Sequence, residues 1–137
     1  RARADAAAAL MDIVAARAVA ARAGRVGIVG YCWGGFIAWL AAARVDGLAC
    51  AIAYYGGGMP DAIGEQPRCP VLAHFGEQDA MIPVAGVQAL AAAHPTMQVH
   101  LYAAGHGFNC DQRGSYDAAA AATARARTLA FLRQYVG

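Results

Sequence analysis

The feature that most restricts what this 137-residue chain can fold into is a repeated alternation. A short, unbroken apolar run gives way to a glycine-rich break, and then to a stretch with helical spacing. Val26-Gly27-Ile28-Val29 is the first run; it ends at Gly30-Tyr31-Cys32-Trp33-Gly34-Gly35 and leads into a helical stretch, Phe36–Arg44. Leu48–Tyr54 is the second, stopped by Gly56-Gly57-Gly58. Val71–Phe75, between Pro70 and Gly76, is the third, with a helix predicted at about Val84–Ala93. Val99–Tyr102 is the fourth, ended by Gly105, and Ser115–Tyr135 reads as a long closing helix. Continuous apolar runs suit strands covered on both faces. Strands alternating with helices imply βα units, a parallel sheet and right-handed crossovers. Upstream, Arg1–Gly24 is Ala-rich, with Leu10, Met11, Ile13, Val14 and Val19 at helical intervals, and predicts a helix capped by Gly24. The fold class is α/β, with about four mainly parallel strands flanked by helices in one domain over residues 1–137. In such sheets function gathers on the loops beyond the carboxyl ends of the strands.

Composition narrows the partners. Hydrophobic residues make up 59% and charged residues 15%, too apolar for a disordered chain. A net charge of +2, from 11 basic against 9 acidic residues, gives no footprint for nucleic acid. No apolar run approaches the ~20 residues that span a bilayer. Arg1, Arg3, Asp5, Asp12 and Arg17 interrupt any secretory leader. The expectation is a soluble, cytoplasmic protein that binds neither membrane nor nucleic acid. The four cysteines, Cys32, Cys50, Cys69 and Cys110, form no C-x-x-C pair, so zinc-ribbon and thioredoxin-type readings lack support. A chain this apolar does not need a disulfide framework.

Cys32 stands in a special place. Gly30-x-Cys32-x-Gly34 is the nucleophile-elbow pattern G-x-S-x-G with sulfur in place of oxygen. A nucleophile on a tight strand-to-helix turn needs small residues two before and two after it. Its side chain then projects at a helix N-terminus, where the dipole favours the reactive thiolate. By itself this could equally be a buried cysteine in a glycine-rich turn. Asp79, on Phe75-Gly76-Glu77-Gln78-Asp79 after the third run, could be a plain turn residue. His106, in Ala104-Gly105-His106-Gly107-Phe108 after the fourth, could be a loop histidine of no consequence. Together they follow the order nucleophile, acid, base, each after a separate strand, which is the chain order of α/β hydrolases.

These stretches resemble the dienelactone hydrolases (carboxymethylenebutenolidases), α/β hydrolases with a cysteine at the elbow. The resemblance rests on Gly30-Tyr31-Cys32-Trp33-Gly34-Gly35, Ala53-Tyr54-Tyr55-Gly56, His74-Phe75-Gly76-Glu77-Gln78-Asp79 with Ile82-Pro83, and Gly105-His106-Gly107-Phe108-Asn109-Cys110-Asp111. It continues through Arg113-Gly114-Ser115-Tyr116-Asp117 and Arg127-Thr128-Leu129-Ala130-Phe131-Leu132. It implies a triad of Cys32, His106 and Asp79, the Trp33 backbone N–H as one oxyanion donor, and no metal or organic cofactor. Tyr54, Tyr55 and Phe108 are candidate substrate contacts. The implied substrate is a small-molecule lactone or carboxylic ester, opened through an acyl-thioester. Where the family's best-known members place a substrate-binding Arg four residues after the catalytic His, this chain has Cys110; Arg113 lies nearby without aligning. The family's chain also begins well before this one. The missing part carries a second oxyanion donor, an acid that meets the thiol, and another substrate-binding Arg. The expectation is therefore a partial domain, weakly active alone and open to self-association through the exposed edge of its first strand. Two alternatives stay open: a general carboxylesterase or thioesterase, and a non-catalytic half-domain.

The remaining residues have plainer readings. His74 and His100 lie inside strands and read as packing residues, His94 before Pro95 as a helix-end cap. Cys50 and Cys69 read as small buried hydrophobes. Arg125, Arg127 and Arg133 read as the solvated face of the last helix.

Overall fold

Asp5 opens the first helix by accepting the backbone N–H groups of Ala7 at 2.9 Å and Ala8 at 3.1 Å, satisfying donors that helix geometry leaves unpaired. The computed structural model describes residues 5–137, so the first four residues of the expected helix lie outside it. Helix α1 is Ala6–Ala20, and Ala21 rather than Gly24 caps it. Gly24, at φ 144, instead turns the chain into the first strand, a conformation open to a residue without Cβ. Then follow β1 (Val26–Tyr31), α2 (Trp33–Arg44), β2 (Leu48–Tyr54), β3 (Val71–Gly76), α3 (Val84–Ala93), β4 (Gln98–Tyr102) and α4 (Ala118–Tyr135). Helix α4 starts three residues later than its composition suggests, because the Asp117 side chain accepts the Ala120 N–H at 2.9 Å and so sets the N-terminus.

The four strands form one parallel sheet in the order β1-β2-β3-β4, each beside its successor in the chain. This is the expected α/β arrangement. Strands β2 and β3 are buried over almost their whole length, which is why they carry no polar alternation. Helix α2 packs on β1 and β2, α4 on β2 and β3, and α1 on α2. Alternation along β2 sends Ala51 and Ala53 to one face and Cys50, Ile52 and Tyr54 to the other. Tyr54 and its register partner His74 thereby face α4. Strand β1 pairs only with β2 among the described residues, and its Val29 and Tyr31 are 37% and 47% exposed. The carboxyl ends of β1, β3 and β4 bring the three candidate loops to one edge of the sheet.

Candidate active site

Cys32 lies where β1 gives way to α2, with φ 55 and ψ −121, a backbone that costs energy in any residue but glycine. The turn is pinned on both sides. The Cys32 N–H donates to the Tyr54 carbonyl at 3.0 Å, and the Cys32 carbonyl accepts from Gly35 at 2.9 Å and Phe36 at 3.2 Å. A Cβ on Gly30 would lie 1.9 Å from the Gly34 carbonyl oxygen, so the small residue two before the cysteine is a steric necessity. The matching expectation for Gly34 is corrected: a Cβ there meets nothing within 4 Å. Crowding falls on Gly35, whose Cβ would lie 2.6 Å from the Tyr54 carbonyl oxygen, because there α2 crosses the exit of β2. Trp33 and Gly34 open α2, so their N–H groups have no intrahelical acceptor and sit at the positive end of the helix dipole.

Asp79 follows β3 with its side chain sealed from solvent. One carboxylate oxygen, Oδ1, accepts the Met81 N–H at 2.8 Å, and the other, Oδ2, accepts the His106 Nδ1–H at 2.6 Å. Nε2 on the far side of the imidazole is 2.9 Å from the Cys32 sulfur. Ser115 Oγ donates to the His106 carbonyl at 2.6 Å, tying down the loop that carries the ring. With the Nδ1 hydrogen committed to Asp79, Nε2 is left to accept the thiol proton. The three residues thus stand in one hydrogen-bonded line.

A cavity of about 510 Å³ opens beside this line. Besides Cys32 and His106 it is lined by Trp33, Phe36 and Met81, by the bare backbone of Gly57 and Gly58, and by Arg113. Tyr54, Tyr55 and Phe108, the residues read from the sequence as substrate contacts, do not line it. Tyr54 turns onto the α4 face, where its hydroxyl hydrogen-bonds Thr128 Oγ1 at 2.7 Å. Phe108 is fully buried, and Tyr55 packs against the His106 ring instead, with centroids 5.1 Å apart. Phe36 and Met81 escaped the sequence reading, and Arg113, noted there only as lying nearby without aligning, stands on the cavity wall. Arg113 reaches back beside Gly107, which has φ 77, and its Cδ and Nη1 lie 2.9 Å from where a Gly107 Cβ would stand. A glycine at 107 was the available signal.

Residues 2–136 match the dienelactone hydrolase family. The chain belongs to the dienelactone hydrolase family. It is 42% identical over 117 residues to a carboxymethylenebutenolidase of Pseudomonas putida, covering 80% of this chain and 48% of that one. A protein of Escherichia coli K12 named as a carboxymethylenebutenolidase is 39% identical over 128 residues, covering 82% of this chain and 47% of the relative. A Klebsiella pneumoniae crystal structure named as a dienelactone hydrolase superposes with a TM-score of 0.85 at 37% identity, over 95% of this chain and 62% of that one. The chain spans about half the length of the curated relatives it matches.

Below the site, the dienelactone hydrolase fold here carries a polar chain that ties the sheet to α4. Arg127 Nη1–H donates to the Tyr102 hydroxyl at 3.0 Å. That hydroxyl lies 2.9 Å from His74 Nδ1, and His74 Nε2 is 3.0 Å from Thr128 Oγ1, which also meets Tyr54. Arg127 can only donate, so Tyr102 passes a hydrogen to Nδ1 and His74 passes its Nε2–H to Thr128. Burial, with lesser contributions from the nearby charge of His100 and Arg127, pushes the His74 imidazole down to about 3, so it stays neutral. Arg127 is therefore part of a network rather than only a solvated face, and it sits 5.5 Å over the Tyr102 ring. His94 is the α3 C-cap, as expected, and its Nε2–H donates to the Ile63 carbonyl at 2.7 Å. Cys50 is fully buried and Cys69 half-buried, and burial raises both thiols, Cys69 to about 11. Among the described residues no group of His, Cys, Asp or Glu side chains is arranged to hold a metal, and no helix is long and apolar enough to cross a membrane.

Proposed function

We propose that this chain carries the catalytic half of a cysteine-dependent hydrolase that opens a lactone or small carboxylic ester through an acyl-thioester. The observation that carries this reading is the unbroken line Cys32–His106–Asp79 at the wall of the cavity. His106 Nε2 takes the Cys32 thiol proton as the sulfur attacks the ester carbonyl. Asp79 holds the imidazole in the tautomer that leaves Nε2 free and stabilises the ring once it is charged. The developing oxyanion meets the N–H of Trp33 at the α2 N-terminus, a donor worth roughly 3 kcal/mol by the usual mutational scale. When the C–O bond breaks, the imidazolium returns its proton to the leaving alkoxide. In a lactone that alcohol stays attached to the acyl group. Water, deprotonated by His106, then attacks the thioester, and Cys32 leaves and regains its proton. The apolar lining from Trp33, Phe36 and Met81 suits the hydrocarbon part of an acyl group, and the Arg113 side chain adds a cationic group to the same wall.

The test is hydrolysis of p-nitrophenyl acetate and of a dienelactone by the full-length protein and by Cys32→Ala. Loss of turnover on both in Cys32→Ala, with thermal melting unchanged, is expected. Turnover that survives the substitution near its original level removes Cys32 from the mechanism. Turnover of the acetate with none of the lactone would favour the general-esterase reading. No turnover of either by the unsubstituted protein would favour the non-catalytic one.

A further inference from the structure

Outside glycine, two described residues adopt a left-handed backbone: Cys32 and Tyr55, at φ 55 and 39. They follow Tyr31 and Tyr54, which are register partners, so the two strained residues leave adjacent strands side by side. Strain at the nucleophile is explained by the elbow. Strain at Tyr55 is not, because the next three residues are Gly56, Gly57 and Gly58, any of which could take such a conformation at little cost. A turn alone would put the glycine at 55. The chain instead holds a bulky aromatic there, 2% exposed, with its N–H donated to the His74 carbonyl at 2.7 Å. Such an outlier persists only where the surroundings over-determine it, and such outliers cluster at functional sites.

What the strain achieves is the placement of one ring. The Tyr55 ring lies against the His106 imidazole, centroids 5.1 Å apart and planes inclined by 60°. It also meets the Phe108 ring edge-on at 5.3 Å, two residues further along the same loop. His106 is flanked by Gly105 and Gly107, so its own backbone offers the ring little lateral support. Ser115 ties its carbonyl, and the ring itself makes two hydrogen bonds, to Asp79 and to Cys32. One of these is given up in every turnover, when the sulfur is acylated.

We infer that Tyr55 is a positioning residue that acts through His106, its ring holding the imidazole in line with the nucleophile while the Cys32 contact is broken and remade. This rests on the cysteine-hydrolase reading above. The ring, rather than the hydroxyl, carries the role.

Tyr55→Asn removes the ring and leaves a residue that tolerates a left-handed backbone, while Tyr55→Phe keeps the ring. Two measurements on the full-length protein decide between them: the rate of iodoacetamide alkylation of Cys32 as a function of pH, read by mass spectrometry against Cys110, and kcat and KM for p-nitrophenyl acetate. Tyr55→Asn should slow alkylation at neutral pH about tenfold or more and lower kcat with little change in KM, the cost of a misplaced catalytic group. Its alkylation profile should also move to higher pH. Tyr55→Phe should stay within about twofold of the parent. If Tyr55→Asn matches the parent, or Tyr55→Phe falls as far as Tyr55→Asn, the positioning role is wrong. If Tyr55→Asn does not fold, Tyr55→Leu, which fills the space without a planar face, is held to the same criterion. If Cys32 of the parent alkylates no faster than Cys110, the cysteine-hydrolase reading itself fails, an outcome separable from the others.

Discussion

A methyl group added to Gly30 would meet the Gly34 carbonyl oxygen at 1.9 Å, a backbone contact that no rotamer change relieves. Gly35 is crowded in the same way by the Tyr54 carbonyl, whereas Gly34 faces open space. Gly30→Ala and Gly35→Ala should therefore each cost at least about 3 kcal/mol and abolish activity. Gly34→Ala should melt within a degree or two of the parent, or slightly higher, since alanine favours the helix it opens. Thermal melting of the three variants checks this, and equal losses at Gly30 and Gly34 would refute the steric account. The cysteine, acid and histidine were legible because each belongs to a chemical type at a recognisable place after a strand. The demand on Gly35 was not legible, since it arises from the approach of β2, a contact between residues 19 positions apart. Tyr54 and Tyr55 illustrate the same limit. The sequence places both at a strand end, but which one meets the site depends on the parity of β2 and on a left-handed twist that no neighbouring residue announces.

At the scale of elements, Thr128 joins α4 to the sheet by meeting both His74 and Tyr54. Thr128→Val keeps the shape but leaves a buried N–H and a buried hydroxyl without their partner, at a cost of about 1–3 kcal/mol. A fall in melting temperature would show it, and an unchanged one would mean that water takes the place of the hydroxyl. The same network predicts a pH response. His74 sits at about 3 in the fold against 6.5 in an exposed chain, so between those values the unfolded state binds the extra proton. Stability is then fully present above about pH 6.5 and falls as pH drops toward 3, by an amount on the order of a few kcal/mol. Urea midpoints measured across that window should decline in the parent. They should decline less in His74→Gln, which cannot take up the proton. The run Val71–Phe75 announced a buried strand, and His74 within it read as a packing residue, but the hydroxyl that takes its Nε2–H lies 54 residues away on a different element.

Across the whole molecule the strands and helices were the most legible layer, because continuous apolar runs and glycine breaks follow directly from burial on both faces of a parallel sheet. The outer surface was less so. Met11, Val14 and Val19 recur at helical intervals in α1, yet they are exposed while Leu10 and Ile13 lean on the core. They lie on the same molecule as the open side of β1 with its exposed Val29 and Tyr31. A strand with one edge unpaired among the described residues and scattered large apolar side chains favour association, so these 137 residues expressed alone should sediment as dimers or larger species at micromolar concentration. A sharp monomer peak in sedimentation velocity would contradict this. The order β1-β2-β3-β4 also bears on how such a sheet is made. Each of β2, β3 and β4 is laid beside the strand synthesised just before it, so this part of the sheet can be extended one neighbour at a time. The proposed site would assemble on the same schedule: Cys32 follows β1, Asp79 follows β3, and His106, which joins them, comes after β4. On the mechanism proposed above, a nascent chain stalled before His106 would hold the Cys32 thiol without the imidazole that stands 2.9 Å from it in the finished fold.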